Sequence, residues 1–306
     1  MAVSECDFRN TQDFDWRRYI DLTKPKVVML IVFTALVGML LSSPGMIPFT
    51  TLIFGLVGIG LAAAAGAALN QIIDQKIDAI MDRTHKRPLP TGDIDAPHAI
   101  YFAVTLIILA MLVLGFLVNV LTMILSLSAF IGYAVIYTIY LKRSTPQNIV
   151  WGGIAGALPP LLGWTAATGE LAYEPIILVA LIFVWTPPHF WALAIKRRKE
   201  YAQAGIPMLP VTHGVNHTKK QILIYSMVLF AVSLGPYVIG MNGLIYLVGA
   251  VGLGLKFLYH TIKLFQTDGD AQAMPTFVYS IMYLSTLFAV LLVDHYGRYL
   301  WIYYFS

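Results

Sequence analysis

No acidic or basic side chain occurs between Lys26 and Asp74, and only one histidine interrupts the run from Ala96 to Leu141. A soluble fold must cover its core with polar side chains, whereas a helix needs about 20 consecutive apolar residues to cross a bilayer. These runs therefore demand lipid as their solvent. Composition agrees, with 58% hydrophobic residues, 12% charged residues and a mean hydropathy of +0.73. Backbone polar groups in lipid must be satisfied within the segment itself, so the 306 residues read as one all-α integral membrane domain. The single cysteine, Cys6, excludes an internal disulfide, a zinc cluster of cysteines and a Cys-x-x-Cys-His haem attachment.

Turn chemistry divides the runs. Ser42, Ser43, Pro44 and Gly45 separate spans at 26-42 and 49-69, and Asn119 reverses the chain between two spans within 96-141. Residues 144-169 and 175-195 hold one span each, 221-255 holds two around Gly240 to Gly243, and 271-293 holds the ninth. With nine spans, every one of the 20 Lys and Arg residues except Arg298 falls on the face of the N-terminus. Such segregation marks that face as cytoplasmic, and a different span count would destroy it. The expected organisation is a cytoplasmic arm over 1-25, a nine-helix domain over 26-295 and a short tail over 296-306 on the opposite face. Acidic residues at Glu5, Asp7, Asp13, Asp15 and Asp21 argue against a cleaved targeting segment, and Asp15 to Arg18 suits a short amphipathic stretch at the membrane surface.

Loops on the positive face, 70-98 and 196-219, are long and polar, so chemistry belongs there. Asn70, Asp74, Asp78 and Asp82 recur every four residues, which on a helix places each about 6 Å along and about 40° around from the last. Acids at this spacing repel one another unless a cation lies beside them. Mg²⁺ takes one or two carboxylates together with water and phosphate oxygens, which this ladder supplies; a solvated helix extension neutralised by Lys76 is the plainer alternative. Arg83 and Arg87 are also four apart, just before Pro88, and on one helix face their forks suit a diphosphate or a carboxylate.

Two further stretches bear on the same face. Tyr137 is followed by Lys142, Arg143, Thr145 and Asn148, a point charge and neutral donors at a span end. Late in the sixth span, Pro187 and Pro188 remove the donors for the carbonyls of Phe183 and Val184, a break tolerated at depth only beside protein or a cavity, so His189 is expected to face the interior among aromatic rings. Pro159 and Pro160 break the fifth span in the same way, beside the small residues Gly152, Gly153 and Gly156. Lys196, Lys199, Glu200, Tyr201 and His213 follow the sixth span toward the cavity mouth, while Arg197 and Arg198 read as lipid anchors.

Taken together, the nine spans, the Asn70/Asp74/Asp78 ladder, Asp82-Arg83 and Arg87-Pro88 resemble the intramembrane prenyltransferases. Tyr137-Thr138, Leu141 to Asn148, Gly156 to Pro160, Pro188 to Trp191 and Gly205 to Pro210 are similar to the branch that farnesylates haem. The resemblance implies a ring of helices around a lipid-open cavity in a bacterial inner membrane, with farnesyl diphosphate and haem b as substrates, membrane lipid around it, no nucleic acid, and haem A synthase or a terminal oxidase assembly as partners. Asn70, Asp74 and Asp78 would hold Mg²⁺, and Arg87 and Lys142 would neutralise the leaving diphosphate. Arg83, Arg143, Tyr137, Asn148, His189, Lys196, Lys199, Glu200, Tyr201 and His213 would contact substrate. Quinone-pathway relatives carry a second Asp-x-x-x-Asp ladder where this chain has Lys196 to Glu200, which favours haem as acceptor and leaves open whether Glu200 supports a second metal. A prenyltransferase of a quinone precursor and, more remotely, a transporter are the alternatives; no inverted repeat is visible to support the latter.

Overall fold

The structure is a computed structural model that describes residues 15–43 and 45–305. Residues 1–14 of the expected arm, Cys6 included, and Pro44 of the first turn lie outside the described residues. All regular structure among those described is helical. Eight helices are long and apolar enough to cross a membrane: Phe49–Asp78, Ala96–Leu117, Val120–Ser144, Asn148–Thr168, Glu174–Lys196, Gly214–Val238, Leu244–Gln266 and Ala273–Trp301. Pro25–Leu41 adds the ninth when joined to Trp16–Leu22, from which it bends by 57°. They are called spans 1 to 9 in chain order, beginning with Pro25–Leu41.

Successive spans pack on one another. Span 9 also lies against spans 6 and 1, which returns the chain to its start. At that closure His295 Nε2 lies 3.2 Å from the Ser43 carbonyl, and Tyr296 donates to the Leu40 carbonyl at 3.2 Å. Asp294, buried in span 9, accepts from the Gly243 and Tyr246 amides and thereby caps the start of span 8. A core of Trp164, Leu178, Leu181, Trp185, Tyr246, Phe257, Tyr283 and Phe288 joins spans 5, 6, 8 and 9.

Two local expectations differ from what is found, and one feature is not anticipated. Span 6 stays helical through Pro187 and Pro188, with Trp185, Thr186, His189 and Trp191 all buried around them. Tertiary packing absorbs the lost backbone bonds there, and the Thr186 hydroxyl donates to the Ile182 carbonyl at 2.8 Å. Of the two proline pairs, Pro159 and Pro160 do interrupt their helix, with Leu158 between Asn148–Ala157 and Pro159–Thr168. The last helix runs on as Ala273–Phe305, so residues 296–305 of the expected tail continue the ninth helix. The unanticipated feature lies in span 4, where Gly132–Leu141 winds as a π-helix that nothing in the sequence announces.

Spans 1 and 5 approach backbone to backbone. A Cβ on Gly38 would overlap the Pro160 carbonyl, and one on Gly163 would overlap the Ala35 carbonyl. Neither obstacle is a side chain able to swing aside. We therefore expect Gly163→Ala to lower stability by about 1–3 kcal/mol, the usual cost of overpacking, as read by unfolding in detergent. Gly156→Ala, whose Cβ meets nothing within 4 Å, should leave the unfolding midpoint unchanged; equal effects would contradict the close approach.

Candidate active site

Span 2 is a 30-residue helix whose last three turns carry the ladder. Asn70, Asp74 and Asp78 are all buried, at 5%, 1% and 4% exposure, so their polar groups must find partners within the protein. Each meets a different cation. The Lys24 ammonium donates to Asn70 Oδ1, the Lys142 ammonium to Asp74 Oδ2 at 2.5 Å, and the Arg87 guanidinium to Asp78 Oδ2 at 2.6 Å. Arg143 stands 3.9 Å from Asp74 Oδ1 and donates to the Ile73 carbonyl at 3.3 Å. Two carboxylates among these four basic groups leave positive charge in excess, an environment suited to a polyanion.

The ladder ends sooner than its spacing suggests. Span 2 stops at Asp78, where the buried Thr84 hydroxyl donates to the Asp78 carbonyl at 2.9 Å in place of a further helical amide. Residues 79–87 are turns, so Asp82 is exposed and leaves the ladder. Arg83 and Arg87 consequently do not share a helix face: Arg87 folds back onto Asp78, while Arg83 is exposed. Arg83 instead lies near enough to Tyr201 to oppose the rise that burial imposes on that phenol's pKa.

Lys24 was counted in the sequence only toward the charge of the N-terminal face. It precedes Pro25 with φ 52°, the left-handed region that a non-glycine residue rarely adopts. That conformation holds the side chain over Asn70. Gln71 secures the segment from below, donating to the carbonyls of Asp21 at 3.0 Å and Leu22 at 2.9 Å. Burial, aided by Arg87 and then Lys142 and opposed by Asp78 and Asp74, brings the Lys24 ammonium down to about 7. Its one sequence signal is a place at the start of a span, on the same membrane edge as the ladder.

Asp74 Oδ1 is buried without a hydrogen-bond donor. A buried carboxylate oxygen left without a donor in this way, on the helix face that also carries Asn70 and Asp78, fits a hard divalent cation that takes its remaining ligands from water and phosphate. No cluster of three His, Cys, Asp or Glu side chains occurs among the described residues, so the protein alone offers only part of a coordination shell. Asn148, fully buried, donates to the Lys142 carbonyl at 3.1 Å and so anchors the end of span 4.

His189 is buried among aromatic rings. Its ring stacks on Trp185 at 4.2 Å and Phe277 at 4.6 Å, and Nδ1 lies 2.7 Å from Ser280 Oγ. Ser280 donates its own proton to the Phe277 carbonyl at 2.6 Å, so toward His189 it presents a lone pair. Nδ1 must then carry the imidazole proton, which leaves the Nε2 lone pair for a ligand. The 196–213 segment makes contacts of its own. Glu200 pairs with Arg197 at 2.9 Å, Lys196 with Asp270 at 3.4 Å, and Tyr201 is buried in an apolar cluster. Lys199 is exposed, and so is His213, which bonds Thr212 Oγ1 at 2.9 Å beside the His217 ring. Tyr137 stacks on Tyr133 with centroids 5.7 Å apart, in room provided by Gly152.

Residues 31–295 match the model of the UbiA prenyltransferase family. The chain belongs to that family. A protein of Thioalkalivibrio sulfidiphilus named protoheme IX farnesyltransferase is 62% identical over 97% of this chain and 99% of its own. One of the same name from Nitrosococcus oceani is 57% identical over 92% of this chain and 94% of its own. Among solved structures, a digeranylgeranylglyceryl phosphate synthase superposes with TM-score 0.79 at 19% identity, covering 92% of this chain and 99% of that one. A UbiA homologue from Archaeoglobus fulgidus bound to DMAPP and Mg²⁺ gives 0.61 at 19% identity, covering 90% and 99%. The family expected from the sequence is thus the family found, and its fold is that of intramembrane prenyltransferases.

The two arginines separate experimentally. Removing Arg87 strands a buried carboxylate, which costs several kcal/mol in a sealed pair and about 2 kcal/mol here because Arg87 is partly exposed. Arg83→Ala, at an exposed position, should stay within about 0.5 kcal/mol. Unfolding of the two purified variants in detergent checks this, and equal losses would contradict the placement of Arg87 on Asp78.

Proposed function

We propose that this chain transfers the farnesyl group of farnesyl diphosphate to a vinyl group of haem b, with addition of water and release of diphosphate, giving haem O. What carries this reading is a buried ladder ringed by four cations in a chain that matches protoheme IX farnesyltransferases almost end to end. Bound Mg²⁺ would be held by Asn70, Asp74 and Asp78 and would supply Lewis-acid charge against the leaving diphosphate. Lys24, Arg87 and Lys142 exchange their carboxylate and amide partners for diphosphate oxygens and so place positive charge where negative charge develops. Arg143 lies at the same edge as a further cation, and Asn148 keeps Lys142 in position.

As the farnesyl C1–O bond breaks, its electron pair leaves with the diphosphate. The π pair of the haem vinyl group forms the new C–C bond, and water adds to the carbon left electron-deficient and sheds a proton. The stacked rings of Tyr133 and Tyr137 offer negative faces to the allylic cation. His189, with Trp185 and Phe277 on its two faces, is assigned to the porphyrin, its Nε2 available to iron or to a protonated propionate. Among the residues beyond span 6, Lys196 and Lys199 are assigned to the propionates from the rim, Tyr201 with Arg83 to the mouth, and Glu200 only to Arg197. His213 is the weaker histidine candidate because it stands exposed beside His217. The N-terminus is assigned to the cytoplasmic side of a bacterial inner membrane, and a haem A synthase or terminal oxidase assembly is the proposed recipient of the product.

Purified protein incubated with haem b, farnesyl diphosphate and Mg²⁺ should yield hydroxyethylfarnesyl haem by mass spectrometry, and turnover should cease when the metal is chelated. Prenylation of a phenolic acceptor with no change in haem would overturn the assignment. In the same assay Asp74→Ala and Asp78→Ala should lose at least about 100-fold in turnover, the scale on which transition-state charge stabilisation acts, while still binding haem. His189→Ala should do the reverse, weakening haem binding with farnesyl diphosphate affinity unchanged.

A further inference from the structure

The two ends of an asparagine amide differ in chemistry but hardly in shape, so neighbours decide which end faces where. Asn70 Nδ2 donates twice, to Asp74 Oδ2 at 3.0 Å and to Thr138 Oγ1 at 3.2 Å, while Oδ1 accepts from Lys24. Thr138 has no exposed surface, and its hydroxyl donates to the Tyr133 carbonyl at 2.9 Å. With its proton committed there, the Thr138 oxygen offers Asn70 only lone pairs. An N–H is welcome at that point, and Oδ1 would be repelled.

The backbone explains how Thr138 comes to be there. On a regular α-helix a threonine hydroxyl back-bonds to the carbonyl three or four residues earlier. That of Thr138 reaches five residues back, to the carbonyl exposed by the wider turn of the Gly132–Leu141 π-helix. Such π segments are uncommon and recur at functional sites. This one lies opposite Asn70 and leads directly into Lys142.

We infer that Thr138 is a positioning residue that fixes the amide of Asn70 with Oδ1 on the cation side of the site. The inference rests on the reading of Asn70, Asp74 and Asp78 as the half of the site that takes metal and diphosphate. Of the three partners of the amide, Lys24 and Asp74 are the two that diphosphate and metal recruit. Thr138 is the one that stays, so the orientation of Asn70 during turnover depends on it.

The test is the Mg²⁺ concentration giving half-maximal binding of farnesyl diphosphate to the purified full chain, measured by calorimetry, with a haem titration reporting that each variant is folded. Thr138→Val removes the hydroxyl and should raise this midpoint about five-fold, the loss of one hydrogen bond, with haem affinity unchanged. Thr138→Ser keeps the hydroxyl and should restore the midpoint to that of the unmodified protein. In an Asn70→Ala background, Thr138→Val should add nothing, since it acts through Asn70. Should valine not be accommodated, Thr138→Ala is read by the same midpoint. An unchanged midpoint for Thr138→Val alongside a raised one for Asn70→Ala would overturn the role of Thr138 and leave the ladder intact. An equal rise from Thr138→Val in both backgrounds would overturn it as well, reducing Thr138 to packing. An unchanged midpoint for Asn70→Ala itself would overturn the ladder reading and, with it, the inference.

Discussion

Two carboxylates buried at a membrane edge cannot be left without countercharge, and the arrangement of this molecule follows from that requirement. The cations come from separate parts of the chain: Lys24 precedes span 1, Arg87 ends the turns after span 2, and Lys142 and Arg143 lie at the end of span 4. Satisfying the acids therefore ties the N-terminal helix, spans 1, 2 and 4 and the first polar loop together at one end of the bundle. A buried ion pair is poor evidence for stability, because desolvation offsets most of its attraction. Its value here lies in holding four cations near one place before an anionic substrate arrives, so that little rearrangement is left for the moment of reaction.

The same economy of hydrogen bonds orients both Asn70 and His189. Thr138 gives its proton to the Tyr133 carbonyl and Ser280 gives its proton to the Phe277 carbonyl, so each presents only an acceptor to its neighbour. Asn70 must therefore turn an N–H toward Thr138, and His189 must carry its proton on Nδ1. In each case a group with two chemically distinct ends is fixed by a hydroxyl whose own direction is dictated by the backbone of a helix. The irregular backbone described in spans 4 and 5 lies where packing supports it, as with the π-helix whose Thr138 meets Asn70 and the break at Leu158 beside the close contact of Pro160 with Gly38.

The spans were legible because lipid imposes a single rule on every stretch of backbone, and charge-free runs broken by Ser-Pro-Gly or Asn turns register that rule directly. The Asn70, Asp74 and Asp78 ladder was legible for a similar reason, since a period of four residues states which side chains share a helical face. What eluded the sequence depends on bonds between distant segments. Helix propensity gave no warning that Thr84 would end span 2 at Asp78, and so Asp82 and Arg83 were placed on a face that does not exist. The helicity of Pro187 and Pro188 reflects tertiary packing that outweighs a local rule. Lys24 looked like any basic residue at a span end, because only the left-handed turn before Pro25 carries it over Asn70. Glu200 was drawn toward the mouth by its place after span 6, and its pairing with Arg197 could be found only in three dimensions.

The central claim is that the cations now paired with the ladder are the ones that receive the diphosphate. A structure of the protein with Mg²⁺ and a non-ionising thio analogue of farnesyl diphosphate, compared with one determined without ligands, addresses it directly. The account predicts that Lys142 Nζ and the Arg87 guanidinium leave Asp74 and Asp78 for diphosphate oxygens, and that Lys24 leaves Asn70 Oδ1. Finding the three cations still on Asp74, Asp78 and Asn70, with the diphosphate bound elsewhere, would contradict it.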